Sequence, residues 1–470
     1  MIFSSVIFIF YFLPAVTAAC VIVRKEFRNT VLLTASIVFY AWSGPEFVRI
    51  LLISILINYF CGLLLGIQNQ TVQKTVLFLA VICNIGLLFL YKYLDFTITV
   101  INSVSASMGI TSQIPLKGLV LPIGVSFFTF QGLSYVIDVY CKKAAVQKNP
   151  FYLALYISMF PQLVAGPIVR YESIEAEIVQ RHVSLDDFYY GLQRFIAGLG
   201  KKLLIADVLA QPADLILQGG GAGQLTLAKA WLAAACYTLQ IFFDFSGYSD
   251  MAIGLGRIFG FHFPENFLYP YKSVSVTEFW RRWHISLSSW FRDYLYIPMG
   301  GSRKGNVYLH LLIVFVCTGL WHGADYTFIV WGLWHGVFIL IERVIKQKSI
   351  RINVPCALRW LYTMSVVMIG WVFFKADTLQ DAIGCLAAMC GRKSGEFIQY
   401  NTAYYFDLKI FCVIAAGLCI SFGIPKKAYE KTRHIKAVRL ARDVFLLAVL
   451  FVSMITAVNG NYSPFIYFRF

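Results

Sequence analysis

Charged residues are scarce in this sequence, and their scarcity excludes an ordinary soluble domain. Only 14% of the 470 residues are Asp, Glu, Lys or Arg, whereas 59% are hydrophobic. A soluble domain usually carries about 25% charged residues. The hydrophobic residues also form runs long enough for membrane helices, which need about 20 apolar residues each. The composition therefore predicts a polytopic membrane protein.

Signatures of metal and nucleotide chemistry are also missing. The 11 cysteines include no Cys-x-x-Cys pair, and most lie in apolar runs, where a thiol behaves as a small apolar side chain. The sequence has no His-Glu-x-x-His pattern, no Walker loop and no dinucleotide fingerprint. We therefore expect neither a bound cofactor nor a metal site. Cys385 and Cys390 share one predicted outer loop and are the candidate disulfide pair.

Acidic residues are outnumbered by basic ones, 24 to 40. The basic residues gather in short connections between apolar runs, at 24–28, 343–351 and 426–442. This is the positive-inside pattern, which indicates contact with an anionic inner leaflet rather than with nucleic acid. We expect these connections to be cytoplasmic, and residues 376–402 and the N-terminus to lie outside.

The apolar runs predict an all-α fold with roughly 11 transmembrane helices, plus re-entrant or amphipathic helices. One membrane domain is expected over residues 1–470. The candidate segments are 2–22, 28–43, 47–67, 74–94, 118–139, 150–167, 186–215, 226–257, 306–322, 325–345, 356–374, 403–423 and 440–458.

The segment 272–299 differs from these runs because it mixes charged residues with aromatic ones. Irregular or charged chain at membrane depth is tolerated only where protein or a water-filled cavity surrounds it. The segment is therefore predicted to form amphipathic or re-entrant helices that line a cavity.

His322 is the first candidate catalytic residue, because it closes the apolar run 311–321. An ionisable residue at membrane depth is functional by default, and an imidazole is suited to take a proton from a hydroxyl that attacks a thioester. The alternative is a histidine that hydrogen-bonds between packed helices. The residues alone favour both equally. A helix break is predicted at 323–325.

His284 is the second candidate. It follows Arg281 by three positions and precedes Ser288 by four, so these residues are predicted to share one helix face. His335 is predicted to be a packed histidine.

Basic residues cluster around this second motif. They would bind the phosphates of a coenzyme A donor or lipid headgroups, two readings that the residues favour equally. The cluster comprises Arg281, Arg282, Arg292, Arg303 and Lys304.

Other polar residues fall in apolar surroundings. Asp244 and Asp250 are predicted to orient a histidine or to cap a broken helix, and Tyr248 to line the same cavity. The candidate substrate-binding residues are Arg281, Arg282, Asp244, Tyr248 and Trp321.

Several motifs between residues 120 and 340 occur in the order typical of one family. In this order they resemble the membrane-bound O-acyltransferases and, within that family, the membrane subunits of bacterial alginate and polysaccharide O-acetylation systems. The motifs are Leu121-Pro-Ile-Gly-Val-Ser-Phe-Phe-Thr-Phe130, Phe160-Pro-Gln-Leu-Val-Ala-Gly-Pro-Ile168, Asp244-Phe-Ser-Gly-Tyr-Ser-Asp250, Trp280-Arg-Arg-Trp-His-Ile-Ser-Leu-Ser-Ser-Trp-Phe-Arg-Asp293, Trp321-His-Gly-Ala324 and Trp331-Gly-Leu-Trp-His-Gly336.

The resemblance implies the family's fold, with helices around a central cavity, and roles for both histidines. His322 corresponds to the family's catalytic histidine. His284 corresponds to a polar position that is histidine or asparagine in relatives, which argues against obligatory proton transfer. Orientation of the thioester or stabilisation of the oxyanion is the expected role of His284.

The resemblance also implies a reaction. An acyl group, expected to be acetyl, would pass from a cytoplasmic thioester such as acetyl-CoA to an extracytoplasmic polysaccharide such as alginate. An exported or membrane-anchored acyl-accepting protein would act as partner, at the bacterial cytoplasmic membrane. Peptidoglycan and teichoic acid are the alternative acceptors. Transporters and export scaffolds are the alternative classes, since broken helices and buried charges also occur in transporters.

Overall fold

The computed structural model of the chain describes residues 1–218, 225–348, 354–392, 400–459 and 465–466, and these residues form helices and connections without a strand. The predicted all-α fold is therefore confirmed over this part of the chain. Its contacts group into two compact units, one of Met1–Leu192 with Ala252–Pro264 and one of Gln193–Met251 with Glu265–Phe470. A single domain over residues 1–470 stays a prediction.

The first unit contains the N-terminal helices. In its interior, Asn58 of α3 and Asn84 of α4 exchange side-chain hydrogen bonds of 3.1 and 3.0 Å, a polar contact that holds apolar helices together. The helices are α1 (Leu13–Ile22), α2 (Arg28–Ala41), α3 (Pro45–Leu65), α4 (Gln70–Leu88), α5 (Leu94–Ser107), α6 (Val125–Tyr140), α7 (Pro150–Ser158), α8 (Phe160–Leu163) and α9 (Tyr171–Val179).

Two helices, α10 (Leu185–Gly200) and α12 (Leu227–Ile258), contribute residues to both units. The second unit contains the remaining helices: α11 (Asp207–Gln218), α13 (Val276–Arg282), α14 (Ile285–Phe291), α15 (Val307–His322), α16 (Tyr326–Gln347), α17 (Cys356–Lys375), α18 (Leu379–Met389), α19 (Thr402–Tyr405), α20 (Leu408–Ser421), α21 (Ile424–Thr432) and α22 (Lys436–Asn459).

Within the described residues, five helical segments are long and apolar enough to cross a membrane, or six if α20 and α21, bent by 58°, form one span. The chain is therefore a membrane protein, but the count of 11 spans is not confirmed. Several predicted runs form shorter helices; the run 118–139, for example, becomes helical only at Val125, after the left-handed Gly124. The five segments are Pro45–Leu65, Gln70–Ser107, Tyr326–Gln347, Cys356–Lys375 and Lys436–Asn459.

The hairpin of α15 and α16 shows the predicted break at 323–325. The Asp325 side chain accepts a hydrogen bond of 2.9 Å from the Thr327 backbone N–H and so caps α16. A Cβ atom on Gly319 would lie 2.3 Å from the Phe328 carbonyl oxygen, and one on Gly332 would lie 2.3 Å from that of Phe315. Only glycine allows this approach of the two backbones, which holds His322 at the closed end of the hairpin.

The segment 272–299 forms short helices, as predicted, but not with the predicted shared face. Helix α13 ends at Arg282, and His284 adopts the left-handed conformation (φ 43°, ψ 55°) before α14 begins. This conformation is unfavourable for a residue with a Cβ atom and ends the helix. The prediction that Arg281, His284 and Ser288 share one helix face is therefore wrong.

The candidate disulfide is not formed. Cys385 is buried on α18, whereas Cys390, the residue that ends this helix, is exposed, and both are free thiols.

Candidate active site

The two predicted catalytic histidines lie together in the second unit. The ring centroids of His284 and His322 are 6.4 Å apart, and the residues are only 0% and 4% exposed. Trp321 lies beside both, with its ring 4.9 Å from that of His322 and 6.0 Å from that of His284. The tertiary structure thus joins motifs that are distant in the sequence into one buried site.

Asn266 holds His284 in place and determines its tautomer. The Asn266 Oδ1 atom accepts hydrogen bonds from the backbone N–H and the hydroxyl of Ser286, at 3.1 and 2.9 Å. Its Nδ2 atom donates to the Ser249 hydroxyl at 3.2 Å. The amide orientation is therefore set, and the His284 Nδ1 atom, 3.2 Å from Oδ1, must carry the proton.

This tautomer restricts what His284 does chemically. Burial lowers the pKa of His284 to about 3, so the ring is neutral near pH 7 and its Nε2 atom carries a lone pair. A nitrogen that accepts hydrogen bonds can orient a substrate by binding one of its N–H or O–H groups. It does not suit stabilisation of an oxyanion, which requires a hydrogen-bond donor. Sequence reasoning missed Asn266, because no helical or strand spacing relates it to His284.

The surroundings of His322 are aromatic. The rings of Trp331 and Phe374 meet its imidazole nearly edge-on, with centroid distances of 5.0 and 5.2 Å. His322 is also the last residue of α15, where the partial negative charge of the helix end favours a cation by about 0.3–1 kcal/mol. Water is largely excluded from this site, which disfavours a charged ring, and the helix end offsets part of this cost when His322 accepts a proton.

Asp244 and Asp250 take part in ion pairs within the second unit. Asp244 lies 2.8 Å from the Lys202 ammonium, and Asp250 lies 2.6 Å from both Arg194 and Lys201. Helix α12 runs unbroken through both aspartates. The prediction that they cap a broken helix is therefore wrong, and their ion-pair partners are lysine and arginine side chains.

Tyr248 connects to the site through Phe465, a residue that the sequence reasoning missed. The two rings stack at 4.7 Å, and Phe465 lies 6.1 Å from Phe245. Phe245 in turn meets the His284 ring edge-on at 4.6 Å. The backbone N–H of Ile466 donates to Asp244 at 2.8 Å and so anchors Phe465 beside this aromatic row.

The other end of the α15–α16 hairpin borders a cavity of about 770 Å³ lined by basic residues. Arg281 lines it together with Arg343 and Lys346 of α16 and Arg359 of α17. The Nε atom of Arg343 is buried and has no hydrogen-bond partner among the described residues. A buried N–H group without a partner is unfavourable, and Arg343 lines the cavity with three other cations, so an anionic ligand would suit this cavity.

The acidic residues of the cavity already have partners. Glu342 accepts hydrogen bonds from the backbone N–H groups of Val276 and Thr277 at 2.6 and 2.9 Å, and Glu278 pairs with Arg282 at 2.7 Å. The cavity is therefore left with an excess of positive charge.

The basic cluster predicted around the second motif is divided. Arg281 lines the cavity, whereas Arg282 pairs with Glu278 and Arg292 pairs with Asp293 at 2.6 Å. Sequence reasoning missed Arg343, Lys346 and Arg359 as possible ligand contacts. The first two also fit a positive-inside connection, and Arg359 falls near the start of a predicted apolar span. His335 is fully buried between Trp280 and Trp331, at ring distances of 5.2 and 5.4 Å, which confirms a packed histidine.

The family model described as MBOAT, membrane-bound O-acyltransferase family, matches residues 52–380. The chain is 39% identical to the probable alginate O-acetylase of Pseudomonas putida over the whole of both chains. It is 40% identical to the protein of the same name from Pseudomonas aeruginosa, over 94% of this chain and 85% of the relative. It is 32% identical to the peptidoglycan O-acetyltransferase of Helicobacter pylori, over 100% of this chain and 98% of the relative.

Proposed function

The chain belongs to the membrane-bound O-acyltransferase family, and we propose that it transfers acetyl groups from acetyl-CoA toward a secreted polysaccharide, with alginate as the first candidate. The observation that carries the chemistry is the buried pair of His322 and His284, with rings 6.4 Å apart. One ring belongs to the expected base, and the other is kept neutral by burial and in a single tautomer by Asn266.

His322 acts as the general base. Its imidazole takes the proton of the acceptor hydroxyl while that oxygen attacks the carbonyl carbon of the thioester. The tetrahedral intermediate collapses, the carbon–sulfur bond breaks, and the leaving thiolate recovers the proton from the imidazolium. The Nε2 atom of His284 accepts a hydrogen bond from an amide N–H of acetyl-CoA and so orients the thioester.

The basic cavity binds the phosphates of the donor. Arginine recognises phosphate through several charge-assisted hydrogen bonds, and Arg343 offers a buried N–H group for this purpose. Coenzyme A carries its phosphates at one end and its thioester at the other. Arg343 and Trp331, which contacts His322, are 12 residues apart on α16, or about 18 Å at 1.5 Å per residue. The phosphates of the donor can therefore lie in the cavity while its thioester lies beside the histidines.

The cavity is expected to open to the bacterial cytoplasm. Arg343 and Lys346 lie at the start of the basic connection 343–351, which the positive-inside rule places inside. Acetyl-CoA is made inside and the polysaccharide lies outside, so the acetyl group crosses while coenzyme A stays. An exported or membrane-anchored protein then receives the acetyl group and passes it to the polymer, and roughly 11 spans enclose the path.

Alginate is the first candidate acceptor, because the Pseudomonas relatives named for it match over most or all of their length. Peptidoglycan is the second candidate, supported by the Helicobacter relative at lower identity, and teichoic acid is the third. The second class of function, a transporter or export scaffold, would need neither histidine for chemistry.

Radiolabelled acetyl-CoA tests the function directly. The purified protein is incubated in detergent with the label, a candidate acyl-accepting partner, and alginate or peptidoglycan fragments. Transfer of label is expected for the wild type and for the exposed-histidine control His434→Ala, and not for His322→Ala. Transfer that survives His322→Ala would contradict the assignment of the base. Binding of acetyl-CoA without thioester cleavage, in the presence of an active partner, would indicate a transporter or scaffold.

A further inference from the structure

One side of the His322 imidazole is closed by an aromatic wall. The ring centroids of Trp331 and Phe374 lie 5.0 and 5.2 Å from that of the imidazole and 5.1 Å from each other. Phe328 packs against Phe374, with ring centroids 5.1 Å apart. The ring centroid of His284 lies 6.4 Å from that of His322, and its Nε2 atom is a hydrogen-bond acceptor.

Glycine contacts hold this wall close to His322. A Cβ atom on Gly323 would lie 2.1 Å from the ring of Phe328, and one on Gly319 would lie 2.3 Å from the Phe328 backbone oxygen. The next residue after Phe374, Lys375, forms an ion pair with Asp214 of α11, which anchors the end of α17. Close-packed rings tolerate an added methylene poorly.

We propose that this wall limits the transferred acyl group to the size of acetyl, with Phe374 as the residue that determines the limit, an inference that rests on the proposed function. The carbonyl carbon has to lie within reach of His322, and an amide N–H of acetyl-CoA, on the sulfur side of the thioester, hydrogen-bonds to the Nε2 atom of His284. The apolar tail of the acyl group lies on the other side of the carbonyl carbon from the sulfur, and there it meets the rings of Trp331 and Phe374, which pack against His322. A longer tail would have to displace one of these rings.

The expected discrimination is measurable. Enzyme pockets discriminate between substrates that differ by one methylene by about 10–200-fold in kcat/KM. The wild type is therefore expected to lose about tenfold or more in kcat/KM from acetyl-CoA to propionyl-CoA, and again to butyryl-CoA. Phe374→Leu and Phe374→Ala open space beside His322, so the ratio of butyryl to acetyl transfer should rise by about tenfold or more.

The neighbouring residue provides a matched control. Phe373 packs against Trp334 at 6.0 Å instead of against His322, so Phe373→Leu should leave the chain-length ratio of the wild type unchanged. Thermal unfolding of each variant shows whether it is folded. If Phe374→Ala does not fold, Phe374→Leu still tests the role of the residue, because leucine retains most of the side-chain volume. A folded Phe374→Leu with the wild-type ratio would overturn the role of Phe374.

The same assay separates two failures. A wild-type protein that cleaves no acyl thioester, with a working partner present, contradicts the proposed function itself. A wild-type protein that transfers acetyl and butyryl groups equally well is still an acyltransferase, but its aromatic wall does not limit the acyl length.

Discussion

The two ends of the α15–α16 hairpin differ in their chemistry. At the closed end, His322 is 4% exposed and surrounded by aromatic rings. At the other end, Arg281, Arg343, Lys346 and Arg359 line a cavity of about 770 Å³. This difference suits the closed end for bond making and the other end for binding an anionic ligand. Charge that develops during bond making is stabilised best where water is excluded, whereas several cations near one another are tolerated where water and an anionic ligand reach them.

The largest expected effect comes from removing the base at the closed end. His322→Ala should lower kcat by about 10²–10⁴-fold and leave the affinity for acetyl-CoA nearly unchanged, because the phosphates bind at the other end of the hairpin. Single-turnover kinetics and equilibrium binding of acetyl-CoA measure the two quantities. A large loss of affinity together with kcat would show that the two ends do not act separately.

A smaller loss is expected at the second histidine. His284→Ala should lower kcat by about 10²-fold, since misplacement of the reacting group by about 1 Å has an effect of this size. His284→Asn should retain more activity, because its carboxamide oxygen also accepts a hydrogen bond. Steady-state rates with acetyl-CoA decide the matter, and equal losses in both variants would argue against an orienting role.

At the charged end, Arg343→Ala should raise KM for acetyl-CoA by about 10–100-fold and change kcat little. The loss of one charge-assisted hydrogen bond is worth about 1.5–3 kcal/mol, and about 1.4 kcal/mol corresponds to a factor of ten. S-acetyl-N-acetylcysteamine, a thioester without phosphates, should react equally well with the wild type and the variant. Arg292→Ala is the control, because Arg292 pairs with Asp293 and neither residue lines the cavity. Equal loss with both donors would rule out phosphate recognition by Arg343.

The smallest perturbation tests the side of the membrane on which the cavity opens. Lys346→Cys, at an exposed cavity position, should react with a membrane-impermeant maleimide only from the cytoplasmic side, above the background of the native cysteines. Saturating acetyl-CoA should slow this reaction. Labelling from the outside would invert the predicted topology.

Sequence patterns predicted helix positions well where an apolar run ends at strong breakers. The predicted segments 226–257 and 306–322 correspond to Leu227–Ile258 and Val307–His322, because burial of a continuous apolar run favours a helix and the residues 323–325 end it. The break at His284 was not predictable, since its left-handed backbone is unfavourable locally and is held by the surrounding Asn266 and Ser286.

The candidate site was predictable only in part. His322 and His284 were identified because ionisable residues are rare in apolar chain, and family motifs contain both. Asn266, Phe465 and Arg343 were missed, since each lies in a segment whose composition also fits an ordinary loop or a positive-inside connection.

The sequence by itself determined that this is an all-α membrane protein with a histidine at the end of an apolar helix, because hydrophobic composition and helix breakers act locally along the chain. Only the tertiary structure decided that His284 faces His322 as a neutral hydrogen-bond acceptor, that Phe374 closes one side of the site, and that Arg281 and Arg343 share a cavity. These relations depend on close packing between segments far apart in the chain, and packing of that kind leaves no periodic pattern in the sequence.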